Sequence, residues 1–359
     1  MYIKSANFLS KCIDAVYSCT FSEIGSENLP DHTLVFFCNW SVTSCHITYN
    51  NHMWIIASRK SRLAMWQAEY VQALMQKDAH TSDIKVLGLS TKGDEILDRS
   101  LSKIGGKGLF VKELELALLK GKAHLAVHSL KDVPMELPAK FLLAAILRRE
   151  DPRDAFIGKQ AKNLSSLPLG AKVGTSSLRR EFQLKLFRPD LKIIPLRGNL
   201  DTRIKKLDEG DFDGIVLAAA GLKRLGLESR ICELISKDIS LPAAGQGAMA
   251  IEILKNSALD ENDILGNLNH DKTFSEVMLE RRVAAELGAS CQIPLAVYCE
   301  FNEKLQTFNL RAKIAMPDGS KLCYSEHSGD NPDDIFERVM DSLYNQGARE
   351  VIKAVVERQ

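Results

Sequence analysis

Short apolar runs alternate with helical periodicities along most of this chain, and this alternation constrains the fold more than any other feature. Residues 54–57 predict a buried strand, and apolar residues at three- and four-residue steps predict the helix after it. Further strands are predicted over residues 84–89, 124–128 and 141–146, with a helix over 111–119. Such alternation predicts an α/β protein with a mostly parallel sheet, in which ligands bind outside the carboxyl ends of the strands.

A second α/β unit follows a charged, proline-containing boundary at residues 148–153. Its Pro/Gly-rich end suits a hinge or crossover, and the strand predicted after it is a candidate for return to the first unit. A predicted helix, two strands and a closing helix complete the chain. In order, these predictions are a strand followed by a turn over residues 172–177, strands over 192–196 and 214–220, helices over 178–187 and 202–207, the hinge at 241–248, a strand over 249–254, a helix over 275–287, strands over 296–301 and 310–314, and a helix over 335–346.

The first 52 residues differ from the rest, because they lack arginine, contain four of the eight cysteines and show no sustained period. Lys11 and Asp14 interrupt the apolar core that a secretory signal needs. Four acidic residues and the lack of arginine argue against an organellar transit peptide. We predict that residues 1–52 are disordered or result from an upstream start codon, with Met53 as the natural beginning.

Composition excludes several classes of function. A formal net charge of +1 disfavours a nucleic-acid binder with a broad basic face, so any basic site must be local. The eight cysteines form no C-x-x-C pair, which argues against a zinc ribbon and favours a reducing compartment. No apolar run is long enough to span a bilayer. We expect a cytoplasmic protein with no metal site.

Cationic and hydroxyl side chains follow several of the predicted strands. Residues 174–177 open a helix either as an ordinary N-cap or as an anion site. Arg179 and Arg180 lie in its first turn, where positive charge is unfavourable to the helix dipole, so a bound anion gains weight. Solvated surface charge is the alternative for the other clusters, and the glycine loops at 105–108 and 245–247 lack nucleotide-binding spacing. These other clusters are Arg59 with Ser61, Lys107, and Arg197-Gly198-Asn199 with Arg203.

Two residues differ in character from these cations. Asp132 is an acid that follows a strand, and it either stabilises a developing cation, relays a proton, or is a turn aspartate before Pro134. Cys291 lies in a turn of small residues closed by Pro294. It suits a nucleophile, a metal ligand, a redox centre, an attachment point, or a half-buried small hydrophobe.

Nine short segments of the chain, taken in order, resemble those of the porphobilinogen deaminase (hydroxymethylbilane synthase) family. The resemblance begins near Ile55 and continues to the C-terminus, and the first 52 residues have no counterpart in it. The segments that carry it are residues 58–61, 105–110, 128–134, 149–154, 174–180, 196–199, 221–226, 241–247 and 291–294.

The resemblance implies two α/β domains like those of periplasmic binding proteins, joined by paired crossovers, and a small α/β C-terminal domain. It places domain 1 at residues 53–147 and 248–266, domain 2 at 152–242 and the C-terminal domain at 271–359. It also implies a transferase of tetrapyrrole biosynthesis. Four porphobilinogen molecules would be deaminated and joined head to tail on a covalent dipyrromethane primer, releasing hydroxymethylbilane and ammonia.

The same resemblance implies the site residues. Cys291 would hold the dipyrromethane through a thioether, and Asp132 would be the catalytic acid. Because the substrate amine is already an ammonium at neutral pH, we expect Asp132 to stabilise positive charge rather than donate a proton. The pyrrole carboxylates would be bound by cationic and polar residues. These are Arg59, Ser61, Lys107, Ser129, Lys131, Thr175, Ser176, Ser177, Arg179, Arg180, Arg197, Gly198, Asn199, Arg203, Arg224 and Gln246.

One departure from the family and two rival hypotheses remain. Ala289 and Ser290 replace the two glycines that the family often has before the cysteine, which reduces the freedom of the loop. A non-enzymatic binding protein for a small polyanion explains the arginines but leaves Asp132 and Cys291 without a role. A cysteine-nucleophile transferase needs a histidine base, and only His128 lies in a cleft-like motif. We expect a monomer with no nucleic-acid or membrane partner.

Overall fold

The computed structural model describes residues 53–77, 83–91, 108–261, 265–288 and 293–358. The strands are β1 (Trp54–Arg59), β2 (Ile84–Leu89), β3 (Leu125–Ser129), β4 (Phe141–Ile146), β5 (Asp154–Gly158), β6 (Lys172–Gly174), β7 (Lys192–Ile194), β8 (Gly214–Ala218), β9 (Glu233–Leu234), β10 (Met249–Leu254), β11 (Leu295–Asn302), β12 (Thr307–Ile314) and β13 (Cys323–Gly329). The α-helices are α1 (Arg62–Lys77), α2 (Gly108–Leu119), α3 (Leu178–Phe187), α4 (Leu200–Glu209), α5 (Ala219–Arg224), α6 (Ala258–Glu261), α7 (Asp271–Glu286), α8 (Pro332–Asn345) and α9 (Ala348–Glu357). Single 3₁₀ turns lie at Leu130–Asp132, Glu228–Arg230 and Gly266–Leu268.

The first sheet has the strand order β2-β1-β3-β10-β4. β1 pairs in parallel with β2 and β3, whereas β10 lies antiparallel between β3 and β4. Neighbouring residues of β1 face opposite sides, so Ile56 packs in the core with α1 and Ala57 in the core with α2. The predicted α/β class is therefore confirmed, and residues 249–254 do return to the first sheet.

The second sheet repeats this plan with the order β7-β6-β8-β5-β9, in which β5 is the strand of opposite direction. The strand predicted to reach residue 220 ends at Ala218, where its pairing with Asp154 of β5 ends and α5 begins. The strand predicted to reach residue 196 likewise ends at Ile194, the last residue paired with β6. β5 and β9 were not predicted.

The third sheet, β11-β12-β13, is antiparallel and packs against α7, α8 and α9 around the largest apolar core. β13 and α9 were not predicted. None of the described helices has the length and apolar character that a membrane span requires. Residues 53–359 form one compact unit, and the domain boundaries within it remain predictions.

One buried carboxylate joins α7 to the segments that connect the first two sheets. Glu280 is completely buried, and its two oxygens accept hydrogen bonds from Arg149 Nη1 at 2.7 Å and Nη2 at 3.2 Å. The same carboxylate accepts from the backbone N–H of Gly245 at 2.7 Å and of Cys299 at 2.8 Å. A single side chain thus links both crossover segments to the third sheet.

We predict that Glu280→Gln lowers the free energy of unfolding by about 3–5 kcal/mol, because it leaves the buried Arg149 guanidinium without a counter-charge. Urea denaturation measures the change. The matched control is Glu209→Gln, whose carboxylate makes an exposed pair with Lys205 at 3.6 Å and should cost less than about 1 kcal/mol. Equal losses in the two variants would contradict the structural role of Glu280.

Candidate active site

A cleft opens where β1 and β3 end. Asp132 lies on its wall in the 3₁₀ turn that follows β3, and the fully buried Leu130 anchors this turn through its N–H, which donates to Ala248 O at 3.0 Å. Four residues predicted from sequence, Arg59, Ser61, Ser129 and Asp132, therefore share one cleft. Its lining residues are Arg59, Ser61, Leu63, Ala64, Gln67, Val111, Val127, His128, Ser129 and Asp132.

The two serines of this cleft are fixed by α1. Ser61 precedes α1, and its Oγ accepts from the N–H of Ala64 at 3.4 Å. Ser129 Oγ lies 2.9 Å from Nε2 of Gln67, a buried residue of α1. Local capping and one buried amide thus place both hydroxyls beside Asp132.

Arg281 holds the segment that follows Asp132. Its guanidinium donates to the carbonyls of Val133, Pro134 and Met135 at 3.3, 2.5 and 3.0 Å. Burial lowers the pKa of Arg281 to about 10. Sequence analysis missed this residue, although its position four residues after the apolar Val277 placed it near the buried stripe of the helix.

Two cations lie close enough to Asp132 to feel its charge, its chain neighbour Lys131 and Arg203 of the second unit. Burial lowers the pKa of Lys131 to about 8, and the neighbouring charge of Asp132 opposes this shift. Burial and then the charge of Arg180 lower the pKa of Arg203 to about 10, again against Asp132. The predicted residues Lys131 and Arg203 are therefore brought towards the same carboxylate, and the charge of Arg180 acts on both of them.

The hydroxyl segment at the end of β6 is held by the backbone. Ser176 Oγ donates to Leu196 O at 2.9 Å, and Thr175 Oγ1 accepts from the N–H of Ser177 at 3.2 Å. Ser177 is the N-cap residue of α3, but its side chain makes no capping hydrogen bond. Ser177 therefore occupies the N-cap position without the side-chain hydrogen bond of an ordinary N-cap.

Arg179 and Arg180 do face an anion, and that anion is Asp154 of the chain itself. Arg179 Nη1 and Arg180 Nη2 donate to its two oxygens at 2.8 and 2.7 Å, and Ser240 Oγ donates at 2.7 Å. Gln246 Nε2 adds a bond at 3.0 Å. Burial alone would raise the pKa of Asp154, but the charges of Arg179 and Arg180 hold it far below the usual range.

Other predicted residues lie in the second unit, after β7 and in α4 and α5. Asn199 Oδ1 caps α4 by accepting from Thr202 N at 2.9 Å, and Gly198 has a φ of +110° with no room for a Cβ beside Thr202. Arg203 Nε donates to Gly198 O at 2.8 Å, and Arg224 Nη2 donates to the Gly247 carbonyl at 2.6 Å. Burial lowers the pKa of Arg224 to about 10.

Arg197 directly precedes Gly198 in the chain and is half-buried. Lys107 and Cys291 lie outside the described residues.

We predict that Asp154→Asn lowers the free energy of unfolding by about 3–5 kcal/mol at neutral pH, because two buried guanidinium groups lose their counter-charge. A carboxyl whose pKa is depressed by folding contributes stability above its unfolded pKa of about 3.9, and this contribution declines as the pH falls towards the folded value. The difference between wild type and variant should therefore be constant from pH 7 to about pH 5 and shrink below about pH 4.

Urea unfolding at several pH values measures this difference. Asp201→Asn, which removes an exposed partner of Arg62 at 3.0 Å, is the control and should cost less than about 1 kcal/mol. A pH-independent loss in Asp154→Asn would contradict the ion-pair explanation.

Comparisons with known proteins cover nearly all of the described chain. Among solved structures, the methionine binding protein MetQ has 14% identity and a TM-score of 0.40, with 62% of this chain and 92% of that protein covered. A relative from Ralstonia nicotianae named porphobilinogen deaminase is 58% identical over 275 residues, which cover 76% of this chain and 81% of the relative.

The relative of that name from Chromobacterium violaceum is 54% identical over 304 residues, which cover 84% of this chain and 97% of the relative. The porphobilinogen deaminase from Thiobacillus denitrificans is 52% identical over 307 residues, which cover 85% of this chain and 99% of the relative.

Two family descriptions match the chain directly. Residues 54–261 match "Porphobilinogen deaminase, dipyromethane cofactor binding domain", and residues 274–344 match "Porphobilinogen deaminase, C-terminal domain". These matches confirm the enzyme class and the dipyrromethane cofactor predicted from the sequence. The chain belongs to the porphobilinogen deaminase family.

Proposed function

We propose that this chain carries out the porphobilinogen deaminase reaction in the cleft beside Asp132, with a dipyrromethane attached to Cys291. Family membership gives the reaction, in which porphobilinogen molecules are joined with loss of ammonia. The assignment of individual residues is our own. It is supported by the shared cleft of Arg59, Ser61, Ser129 and Asp132.

One observation carries this assignment: several cations near the cleft have no carboxylate partner in the part of the chain that the structure describes. Arg203 and Arg224 each donate to a backbone carbonyl, and neither forms an ion pair with a described residue. Lys131 and Arg197 likewise form no ion pair there. Buried or half-buried cations that form no ion pair suit an anionic ligand, and the acetate and propionate groups of pyrroles are such ligands. The residues present therefore fit the dipyrromethane.

In this proposal Asp132 stabilises positive charge. When bound, the dipyrromethane supplies the free pyrrole carbon to which the next ring is added. The backbone on either side of Asp132 is held by the buried Leu130 and by Arg281, so the residue has a fixed position on the cleft wall before the substrate amine leaves as ammonia. Preorganised charge of this kind is the usual main source of catalytic stabilisation.

The binding roles of the other residues divide into two groups. The first group presents side chains towards bound carboxylates. It comprises Arg59, Ser61, Ser129, Lys131, Arg197, Arg203 and Arg224. Arg179, Arg180 and Gln246 donate hydrogen bonds to Asp154, so we propose that they act mainly by holding the second sheet in position. Lys107 keeps its predicted binding role on sequence alone. We further propose a cytoplasmic monomer with no nucleic-acid partner.

We predict that the intact mass of the purified protein exceeds the chain mass by two pyrrole units. Cys291→Ser should lose this excess, because its hydroxyl replaces the thiolate that forms the thioether. Cys232→Ser is the matched control, since Cys232 is an exposed free cysteine away from the cleft, and it should keep the excess. The same spectrum shows whether the chain begins at Met1 or Met53.

We also predict that Asp132→Asn keeps the mass excess and loses roughly 100- to 1,000-fold in kcat, the usual effect of removing one preorganised electrostatic group. Intact mass and steady-state release of ammonia measure the two properties. An Asp132→Asn protein without primer would contradict this division of roles. A bare wild-type mass from cells that make porphobilinogen would instead favour the polyanion-binding hypothesis.

A further inference from the structure

A buried histidine–carboxylate pair lies directly behind the cleft wall. His128 of β3 lines the cleft, and its Nε2 is 2.8 Å from Oε2 of Glu252 on the neighbouring strand β10. His128 is 6% exposed and Glu252 is completely buried. The pair therefore reaches from the interior of the first sheet to the cleft that contains Asp132.

The hydrogen bonding of this pair is incomplete in a way that suits proton transfer. When Glu252 is a carboxylate it only accepts hydrogen bonds, which makes His128 Nε2 the donor and leaves Nδ1 with a lone pair. No described residue makes a hydrogen bond to Nδ1. Glu252 Oε1 is also buried without a hydrogen-bond partner among the described residues. A purely structural pair would normally satisfy both carboxylate oxygens.

The surrounding charges come from three elements. Glu115 of α2 lies near both members of the pair, and burial and then the charge of Glu252 raise its pKa. Arg59 of β1 and Asp132 of the 3₁₀ turn line the same cleft as His128. The charged groups around the imidazole are therefore Glu252, Glu115, Asp132 and Arg59.

We propose that His128 is the base that removes the hydrogen of the pyrrole α-carbon at which each new ring is joined, with Glu252 as its positioning residue. This inference rests on the placement of the reaction in the cleft beside Asp132. Each addition forms one C–C bond between the substrate methylene and that α-carbon. The substrate C–N bond breaks with its electron pair leaving on ammonia.

The α-carbon must then lose its hydrogen as a proton, and that C–H electron pair returns to the ring. His128 Nδ1 accepts this proton, and Glu252 stabilises the resulting imidazolium through Nε2. The proton then passes to ammonia, which leaves the site as ammonium. Asp132 is free to remain a carboxylate throughout, so charge stabilisation and proton removal fall to different side chains.

The test compares His128→Gln with wild-type holoenzyme. The glutamine Nε2 occupies the place of the ring Nε2 and keeps a donor for Glu252, but it cannot accept a proton. We expect a single-turnover rate at least about 100-fold lower, as for loss of a general base. With a primer assembled from porphobilinogen that is deuterated at its free α-carbon, the first addition by the variant should show a larger isotope effect than that by wild type, because C–H cleavage becomes rate-limiting.

A second readout is independent of turnover. Holoenzyme whose primer is ¹³C-labelled at the terminal α-carbon is placed in D₂O without substrate, and NMR follows the loss of the C–H signal. His128→Gln should slow this exchange, and Glu252→Gln should slow it less. Glu115→Gln, which removes a neighbouring carboxylate outside the cleft lining, should leave both rate and exchange near wild type.

Intact mass on every variant confirms that the primer is present, so failure of the cleft assignment is seen separately, as a bare protein or an active Asp132→Asn. A His128→Gln rate within threefold of wild type would overturn the proposal. So would a slow variant with an unchanged isotope effect, or an isotope effect that emerges in Asp132→Asn instead.

Discussion

The buried carboxylate of Asp154 is the interaction on which the arrangement of the second unit depends. It is the first residue of β5, so it fixes the point where the chain enters the second sheet. Its donors come from α3 and from the returning segment, through Arg179, Arg180 and Ser240. Desolvation of such a charge is offset only by several well-placed donors, which is why these side chains are immobilised together. The neighbouring hydroxyl segment at the end of β6 is therefore held in one position.

Gln246 connects this cluster to the second buried carboxylate, Glu280. Its side-chain Nε2 donates to Asp154 Oδ1 at 3.0 Å, and its backbone carbonyl accepts from Arg149 Nε at 2.8 Å. Arg149 in turn pairs with Glu280 of α7, the helix that leads to the segment carrying Cys291. A continuous polar path thus joins the second sheet, both crossovers and the third unit. Movement of any one part must break or carry along these bonds.

Sequence reasoning located most elements because they carry clear periodicities, and it placed the polar clusters at the correct strand ends. It could not name Asp154 as the partner of Arg179, because nothing in the sequence selects one carboxylate among many. β5 was missed because its apolar run is only three residues long beside a charged boundary. β13 is mostly polar and lacks a clear alternation of apolar and polar residues. Its pairing with β12 decides its conformation. Arg281 was missed because its partners are the backbone carbonyls of a segment more than 140 residues earlier, which no local pattern reveals.

The insertion of β10 into the first sheet has a consequence for synthesis on the ribosome. β4 is joined to that sheet only through β10, which follows it by about a hundred residues in the chain. The first sheet is therefore incomplete until residue 254 has left the exit tunnel, whereas the strands of the second sheet, residues 154–234, are all available earlier. The second sheet can therefore form before the first is complete, and in the meantime β3 has an unpaired edge and β4 has no partner strand. An edge of that kind is the natural target for holding chaperones during translation.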